Sequence, residues 1–324
     1  MLAPIVLFAY NRADHLKRTV EALAQNPEAK DSVVYIFSDG PRQKVISAAM
    51  NDDEREQTLK KNEESVLAVG KVREYIHSIP ERGIFKDVTI VEAPQNKGLA
   101  TSVITGVDRV IREHGNVIVV EDDAVCAPTF LRFMNDALAF YQSYTNKIWM
   151  VGGYCPRLTI PEDYAHDFYL MGRGSSFAWG TWLDRWEKID WAVGSYPSFK
   201  RNLRLRKAFN LYGEDRSNML DCQMLGKIDS WAIRFSFEMF RNKMYSILPT
   251  YSLIQTIGRD GSGTHTTGTC HNFDVDLKDA PSNVVFSDVE MDWRIVKQHV
   301  RYFKRSKRYL VKEFLFNCLL GKSK

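Results

Sequence analysis

Cysteine is scarce in this chain of 324 residues, and its five copies follow no recognisable spacing. The chain has no Cys-x-x-Cys pair, and an odd number of widely separated cysteines argues against a disulfide framework or a zinc-binding cluster. We therefore expect free thiols in a reducing compartment. The cysteines stand at positions 126, 155, 222, 270 and 318.

Long apolar runs are also missing. A membrane-spanning helix needs about 18 or more consecutive apolar residues, whereas the run between Met1 and Tyr10 holds roughly eight. No basic segment precedes this run, so it lacks the layout of a signal peptide. These absences favour a cytoplasmic protein whose first apolar run is a buried strand.

The excess of one charge sign is small, with a formal net charge of +4. Nine basic residues and one acid fall between Lys297 and Lys324, so the remainder of the chain is slightly acidic. A nucleic-acid-binding domain would carry its basic residues on the folded body, and this distribution excludes that class. Hydrophobic residues make up 44% of the chain, which excludes disorder as its main state.

The chain does contain a regular alternation of strand-like and helix-like segments over about its first 125 residues. Short apolar runs predict buried strands, and segments with apolar residues three or four apart predict the helices between them. Such alternation produces a mostly parallel sheet with helices on both faces, so we predict an α/β, Rossmann-like fold. The predicted strands are residues 4–9, 32–37, 88–91 and 116–120.

Polar side chains follow each of these strands at its carboxyl end. Ligands of open α/β sheets bind at that edge, so these groups are predicted to converge on one site. The groups are Asn11-Arg12, Asp39-Gly40, Gln95-Asn96-Lys97 and Glu121-Asp122-Asp123.

The acidic triplet 121–123 is the most informative of these groups. Adjacent carboxylates repel one another, and each needs solvent or a cation to stay ionised. Mg²⁺ and Mn²⁺ prefer such oxygen ligands and commonly bind one or two carboxylates together with substrate phosphates. The alternative is a solvated turn in which Asp123 caps the next helix.

The segment 119–130 resembles the Glu-Asp-Asp metal motif of GT-A glycosyltransferases. It is most similar to the GlcNAc transferase I type that acts in N-glycan synthesis, and it is also similar to bacterial family-2-like sugar transferases. Weaker similarities extend the resemblance over roughly residues 3 to 270; they lie at 8–12, 37–42, 96–100, 180–186 and 257–265. The resemblance implies a GT-A-type fold with a C-terminal helical tail, and Mn²⁺ or Mg²⁺ as cofactor.

Carried over by position, the resemblance implies roles for the residues at the strand ends. Asp123 would bind the metal directly. The remaining residues would contact the base, ribose, sugar or phosphates of a nucleotide-sugar donor; they are Asn11, Arg12, Asp39, Lys97, Glu121 and Asp122. Two of them have simpler alternatives, because Arg12 could be a surface residue at a helix start and Lys97 could lie in a solvated turn.

An inverting transferase needs a carboxylate that takes the proton from the acceptor hydroxyl. Asp229 precedes Ser230 and a tryptophan, which resembles the acidic pair before a tryptophan that holds this base in related enzymes. The sequence departs from that pattern at Ser230, where the related enzymes carry a second acid. Asp221 and Glu238 are the alternatives for the base, and a helix N-cap is the alternative role for Asp229.

Three further residues are candidates in the second half of the chain. Tryptophans at 179, 182 and 186 have a spacing that predicts a helix face in the core, and the alternative is that Trp179 stacks on an acceptor sugar. Arg173, in a glycine- and serine-rich loop, could bind the acceptor or a diphosphate, or lie in an ordinary turn. His265, in a glycine-spaced loop, is a candidate metal ligand or phosphate donor, although a single loop histidine usually has no such role.

The C-terminal tail combines apolar and basic residues at helical spacing from 296 to 324. This pattern suits a segment that lies on an anionic membrane surface, and the alternative is a terminal helix packed on the domain. The membrane hypothesis requires that deletion of 296–324 lower the affinity for anionic vesicles.

These features together predict a metal-dependent glycosyltransferase. It would move a hexose or N-acetylhexosamine from a nucleotide-diphosphate sugar, with UDP as the favoured nucleotide and inversion as the expected stereochemistry. The acceptor would be a glycan or lipid-linked oligosaccharide in bacterial surface polysaccharide synthesis. Residues 1–125 would bind donor and metal, 126–285 the acceptor, and 286–324 would form the tail. The rivals are a sugar nucleotidyltransferase, which normally has a glycine-rich loop after its first strand, a non-catalytic carbohydrate- or nucleotide-binding relative, and a hydrolase with paired carboxylates.

Overall fold

The structure is a computed structural model, and it describes residues 2–260, 274–281 and 283–304. His265 and residues 305–324 of the tail lie outside the described residues. Three cysteines lie within them, Cys126, Cys155 and Cys222, and all three are free thiols. No helix among the described residues is long and apolar enough to cross a membrane.

The first half of the chain alternates strand and helix in the predicted order. The helix Asp52–Ser78, α2 in the order given below, begins at a capping box. The Asn51 side chain accepts the Glu54 N–H at 2.9 Å, and the Glu54 carboxylate accepts the Asn51 N–H at 3.1 Å. The elements are β1 Ile5–Ala9, α1 Ala13–Ala24, β2 Val33–Ser38, α2 Asp52–Ser78, β3 Asp87–Glu92, α3 Leu99–His114 and β4 Asn116–Glu121.

The second half is less regular and has shorter elements. The strands and longer helices are β5 Ala124–Cys126, α4 Phe130–Tyr141, β6 Ile148–Gly152, β7 Phe168–Met171 and β8 Trp179–Trp182. They are followed by α5 Leu183–Trp186, α6 Tyr196–Arg201, α7 Leu203–Phe209, α8 Arg216–Met224, α9 Trp231–Arg241, β9 Tyr245–Pro249, β10 Ile254–Thr256 and α10 Trp293–Tyr302.

Eight of the strands form a single mixed sheet in the order β3-β2-β1-β4-β8-β6-β9-β7. Strands β1 to β4 are mutually parallel where they pair, and β8 runs antiparallel between β4 and β6. Strand β9 pairs parallel to β6, and β7 pairs antiparallel to β9. The predicted mostly parallel, helix-flanked α/β fold is confirmed. Because β4 and β8 pair, the sheet continues across residue 125, and the domain division remains a prediction.

The core lies on both faces of this sheet because the strands alternate their side chains. In β1, Leu7 packs into the cluster that also contains residues of α1, α2 and α4, whereas Val6 packs into the cluster that contains residues of α3 and α9. All five residues of β1 are buried, as expected for a central strand covered on both sides. The carboxyl ends of β1 to β4 are thereby fixed at one edge.

Trp179, Trp182 and Trp186 lie in the core, as their spacing predicts, but two of them are not helical. Trp179 and Trp182 belong to β8, and Trp186 ends the single-turn helix α5. Hydrogen bonding of β8 between β4 and β6 overrides the helical period. Trp179 has no exposed surface, and its ring stacks on Trp231 at a centroid distance of 4.8 Å. The hypothesis that Trp179 stacks on a sugar is therefore wrong for this conformation.

The described part of the tail, helix α10, packs on the domain. Ile295 and Val296 are buried in a cluster with residues of β7 and β9, and His299 Nδ1 lies 2.9 Å from the Tyr169 hydroxyl. Lys297 and Arg301 are exposed on the opposite face of the helix. This arrangement agrees with the packed-helix alternative for residues 293–302, and binding to an anionic surface remains a prediction.

Candidate functional site

The acidic triplet lies at the carboxyl end of β4, where the main sheet meets the small sheet formed by β5 and β10. Strand β4 ends at Glu121, and Ala124 at the start of β5 pairs with Thr256 of β10. The backbone N–H of Ile257 donates to the carbonyl oxygen of Asp123 at 2.9 Å. Both sides of the triplet are thus held by strand pairing, which fixes its backbone.

Arg12 bridges two carboxylates of the triplet. Its guanidinium donates to Asp122 and, at 2.9 Å, to Oδ2 of Asp123. Asp122 is 4% exposed and also accepts the Tyr10 N–H at 3.3 Å. Arg12 directly precedes α1, but its side chain makes no capping hydrogen bond. The structure therefore brings together two predicted donor-binding residues, Arg12 and Asp122, and the predicted metal ligand Asp123, and the surface alternative for Arg12 is wrong.

The triplet carries more negative charge than Arg12 compensates. Burial raises the pKa of Glu121 to about 8, and the charges of Asp123 and Asp122 add to this effect. Burial also raises the pKa of Asp122 to about 6, even though Arg12 opposes the shift. Burial and like charge both disfavour the ionised carboxylates, so an additional cation would stabilise them.

The donor set fits a divalent cation only in part. No group of three or more His, Cys, Asp or Glu residues in the described part of the chain is arranged to hold a metal ion. Asp123 remains available, because its side chain is 18% exposed and, among the described residues, only its Oδ2 accepts a hydrogen bond. This fits the way Mg²⁺ and Mn²⁺ commonly bind, with one or two carboxylates and the rest from phosphate and water. His265, the further candidate ligand, lies outside the described residues.

The segment after β10 covers the Arg12–Asp123 pair. A Cβ on Gly258 would clash with the Asp123 carboxylate and would lie 2.6 Å from the Arg12 guanidinium, so only glycine fits here. His15 Nε2 lies 3.3 Å from the Ile257 carbonyl oxygen and 3.2 Å from a carboxylate oxygen of Asp260. His15 is not among the residues predicted from the sequence, although its position one helical turn after Arg12 is a signal for it.

Thr19 is a second residue that the sequence analysis missed. It is fully buried, and its hydroxyl donates to the carbonyl oxygen of Asp122 at 2.8 Å. Thr19 follows His15 by four residues, so both lie on the same face of α1. This face therefore supports the backbone of the triplet from the side of β1.

Asp39, at the end of β2, organises the loop before α3. One carboxylate oxygen accepts the N–H groups of Gly40 and Lys97, each at 2.8 Å. The other accepts the Asn96 amide at 2.9 Å and the Gly98 N–H at 3.2 Å. These four bonds use the acceptor positions of the carboxylate, and a contact between Asp39 and a ligand remains a prediction.

The loop held by Asp39 also explains why residue 40 is a glycine. A Cβ on Gly40 would lie 2.5 Å from the Cα of Gln95, so the glycine accommodates the chain's own backbone. The Lys97 side chain is exposed, and Asn11 is half-buried beside Arg12. The donor-binding roles of Lys97 and Asn11 remain predictions.

Asp229 lies at the same edge as this loop. Its Oδ2 is 3.2 Å from the position that a Cβ on Gly98 would take, and Gly98 donates to Asp39. The Asp229 side chain is 54% exposed, and the nearest cation is Arg234 at 3.8 Å. Ser230 caps α9 by accepting the Ile233 N–H at 3.3 Å, so the N-cap alternative for Asp229 is wrong.

The two alternatives for the catalytic base are held in ion pairs. Asp221 accepts both guanidinium hydrogen bonds of Arg206, at 2.9 and 2.7 Å, and Glu238 is buried and pairs with Arg241 at 3.0 Å. Asp229 thus has the most accessible carboxylate of the three. A candidate base must reach a substrate hydroxyl, and this difference favours Asp229.

Arg173, the acceptor candidate, is already paired. Its two terminal nitrogens donate to the two oxygens of Asp215 at 2.7 and 2.8 Å, and its guanidinium lies 4.3 Å from the centre of the Phe303 ring. The side chain is only partly exposed, as is the loop 173–177 that follows. Whether Arg173 contacts an acceptor remains a prediction.

Comparisons with known proteins do not assign the chain to a family. No family model matches it, and no curated protein matches it. Among solved structures it is similar to TarS of S. aureus, with 15% identity over 52% of this chain and 25% of that chain and a TM-score of 0.30. A structure of TarS 1–349 gives 12% identity over 77% of this chain and 60% of that chain, with a TM-score of 0.38.

A UDP-glucose pyrophosphorylase complexed with UDP-glucose gives 11% identity over 78% of this chain and 91% of that chain, with a TM-score of 0.34. This chain therefore spans a quarter of TarS and less than two thirds of TarS 1–349. At these TM-scores the similarities carry no argument about function. The geometry of the site has to support any functional conclusion.

Proposed function

We propose that this protein is a metal-dependent glycosyltransferase of the GT-A type that uses a nucleotide-sugar donor. The observation that carries the proposal is the crowded acidic triplet at the carboxyl end of β4. Its carboxylates lie at the ligand-binding edge of the sheet, and burial raises the pKa of Glu121 to about 8 and that of Asp122 to about 6. A site that disfavours its own negative charge is suited to a cation and the phosphates that accompany it.

The residues of the triplet would have different roles. Asp123 would hold the cation, because one of its carboxylate oxygens is uncommitted among the described residues. Asp122 is buried and fixed by Arg12 and the Tyr10 N–H, so it would orient Arg12 towards the donor. Once bound, the cation would hold the diphosphate and stabilise its charge as the bond to the sugar breaks.

Asp229 would take the proton from the acceptor hydroxyl as that oxygen attacks the anomeric carbon. It is exposed and lies beside Gly98, in the loop that Asp39 fixes at the same edge. Attack supported by a base on the face opposite the diphosphate leads to inversion, and this reaction requires no covalent intermediate. The transferred sugar would be a hexose or N-acetylhexosamine, with UDP as the favoured nucleotide.

The acceptor would be a glycan or lipid-linked oligosaccharide in bacterial surface polysaccharide synthesis. The exposed basic face of α10, with Lys297 and Arg301, is compatible with a location on an anionic membrane. Phosphate and base contacts from Asn11, Arg12 and Lys97 belong to the same proposal, as does a metal or phosphate contact from His265.

Calorimetric binding of UDP, GDP, dTDP and CDP, each with and without Mn²⁺, tests the donor site. We expect one diphosphate to bind only with Mn²⁺, and Asp123→Asn to abolish this binding. Asp87→Asn is the matched control, because it makes the same change at the exposed, opposite end of β3. Failure of all four nucleotides to bind, or undiminished binding by Asp123→Asn, would overturn the proposal.

A further inference from the structure

A cavity of about 100 Å³ lies behind the first turn of α9, close in sequence and space to Asp229. Trp231 and Ala232, the first two residues of α9, line one side of it. Arg173, Ser175 and Ser176 line another side, and residues 173–177 are partly exposed, so the cavity is open to solvent there. Arg216 and Ser236 complete the polar part of its wall.

Arg216 is a buried cation without a carboxylate partner among the described residues. It is 1% exposed, and its terminal nitrogens donate to the carbonyl oxygens of Gly172 and Phe209 at 2.9 Å and of Ser236 at 3.2 Å. Its Nε is buried and has no hydrogen-bond partner in the part of the chain that the structure describes. Carbonyl dipoles therefore compensate this charge only in part, and a buried unpaired donor is costly.

The rest of the cavity wall adds to the positive potential. Arg173 and Arg216 both line the cavity, and Asp215 pairs with Arg173 through both of its carboxylate oxygens. Burial lowers the pKa of Arg216 to about 9, and the charge of Arg173 contributes to this shift. The first turn of α9 contributes the positive end of an 11-residue helix.

Hydroxyl donors complete the set. Ser175 Oγ accepts the Phe177 N–H at 3.3 Å, which leaves its own O–H free to donate. The Ser176 side chain makes no hydrogen bond within the described residues and is partly exposed at the mouth of the cavity. Two arginines, two serines and a helix N-terminus are the groups that proteins use to bind oxyanions.

We propose that this cavity, which we call the arginine cavity, binds an oxyanion carried by the acceptor, either a phosphate ester or a carboxylate. The assignment to the acceptor rests on the proposed function, because it depends on Asp229 being the base two residues before Trp231. A hydroxyl a few bonds away from the anion would then lie beside Asp229. The enzyme would thus select acceptors that carry negative charge.

Thermal unfolding of the full-length protein in phosphate, sulfate, acetate and chloride at equal ionic strength tests the cavity. We expect phosphate or acetate, present at ten times its own dissociation constant, to raise Tm by about 2 °C relative to chloride. A response to phosphate identifies a phosphate ester, and a response to acetate alone identifies a carboxylate. Equal Tm values in all four salts would overturn the proposal.

A matched pair of variants assigns this response to the arginine cavity. Ala232→Asp places a carboxylate at the cavity wall and at the second position of α9, where an acid favours the helix, so we expect this variant to fold. We expect it to abolish the anion response, whereas the neutral, equally sized Ala232→Asn keeps it. A response that survives Ala232→Asp would overturn the assignment.

The same measurement with saturating UDP and Mn²⁺ separates this inference from the proposed function. An additive anion response supports an acceptor subsite, and a response that the nucleotide removes would mean that donor phosphates occupy the cavity, which overturns the acceptor assignment. If no nucleotide binds at all, the donor proposal fails, while the anion response still reports on the cavity.

Discussion

The acidic triplet and the arginine cavity are opposite in charge but similar in construction. In the triplet, two of the three carboxylates, those of Asp122 and Asp123, share one guanidinium, that of Arg12. In the cavity, Asp215 pairs with Arg173, and no carboxylate among the described residues pairs with Arg216. Each cluster is therefore left with an uncompensated charge in a partly buried setting, and such clusters are typical of sites that bind an oppositely charged ligand.

The two clusters differ in how the chain builds them. The triplet is contiguous in sequence and follows a regular strand, whereas Arg173 lies in a loop and Arg216 begins α8, 43 residues further along the chain. A strand end fixes its residues through the ladder of the sheet. The arginine cavity instead depends on hydrogen bonds that its own arginines make, so removing an arginine is expected to damage the fold more there than at the triplet.

Asp229 connects the two regions, and its removal is expected to have the largest effect. Calorimetry identifies the nucleotide, and turnover is then measured with a sugar donor of that nucleotide. We predict that Asp229→Asn lowers this turnover about 10²–10⁴-fold, because general bases contribute that much. Binding of the nucleotide should be unchanged. Glu214→Gln, an exposed acid paired with Lys304, is the control and should keep full turnover. An Asp229→Asn variant with normal turnover would place the base elsewhere.

Loss of Arg216 is expected to have the largest effect on stability. Arg216→Met keeps a long side chain but leaves three buried carbonyl groups without their donor, so we predict a loss of about 3–5 kcal/mol in the free energy of unfolding. Urea titration measures this loss. Arg82→Met, which breaks the exposed pair with Glu21, should cost less than about 1 kcal/mol. Equal losses in the two variants would contradict a structural role for Arg216.

Arg12 should contribute less to stability but should oppose metal binding. Arg12→Gln leaves buried Asp122 without its charged partner, for a predicted loss of about 1–3 kcal/mol in the free energy of unfolding. Arg12 and a cation compensate the same carboxylates. In the absence of nucleotide, Mn²⁺ should therefore bind several-fold more tightly to Arg12→Gln than to the wild type. Calorimetry checks this against Arg18→Gln, an exposed arginine of α1. Unchanged Mn²⁺ affinity would contradict such competition.

The effect that is smallest at neutral pH, and that grows only in acid, is a pH dependence at α10, near the arginine cavity. Burial lowers the pKa of His299 to about 3, and the charge of Arg173 adds to the shift. Since the unfolded histidine titrates near 6.5, the unfolded state binds more protons between about pH 3 and 6.5. The free energy of unfolding should therefore fall as the pH drops through that window, by up to about 1.4 kcal/mol per pH unit from this group.

Urea titrations between pH 4 and 7 measure this contribution. His299→Phe should make the pH dependence shallower by about one proton, whereas His77→Phe, an exposed histidine of α2, should leave it unchanged. An identical slope in wild type and His299→Phe would show that α10 does not keep His299 buried in solution.

The first cluster could be predicted from sequence because its signals are local. An apolar strand followed by three acids specifies both the position and the chemistry of the triplet. The arginine cavity could not be predicted, because the sequence around Arg216 contains no pattern that indicates its partners. These partners are the carbonyl oxygens of Gly172, Phe209 and Ser236. Such contacts appear only when the chain has folded.

Trp179 and Asp39 show the same limit in two other ways. The spacing of Trp179 from the tryptophans after it suits a helix, and only pairing with β4 and β6 makes this segment a strand. The sequence places Asp39 at the right edge, but three of its four hydrogen-bond donors lie 57 to 59 residues away, in the loop before α3. Long-range pairing decided both outcomes.

The order of the strands determines where a crevice opens at the carboxyl edge of the sheet. From β1 the chain turns towards β2, whereas from β4 it continues through β5 and α4 to β6 on the other side, so the two loops diverge. Diverging connections leave a crevice that no crossover helix covers. Arg12 and Asp122 come from the two loops and meet across this crevice. The crevice follows from chain topology, and under the proposed function a change of donor would have to come from the residues that line it.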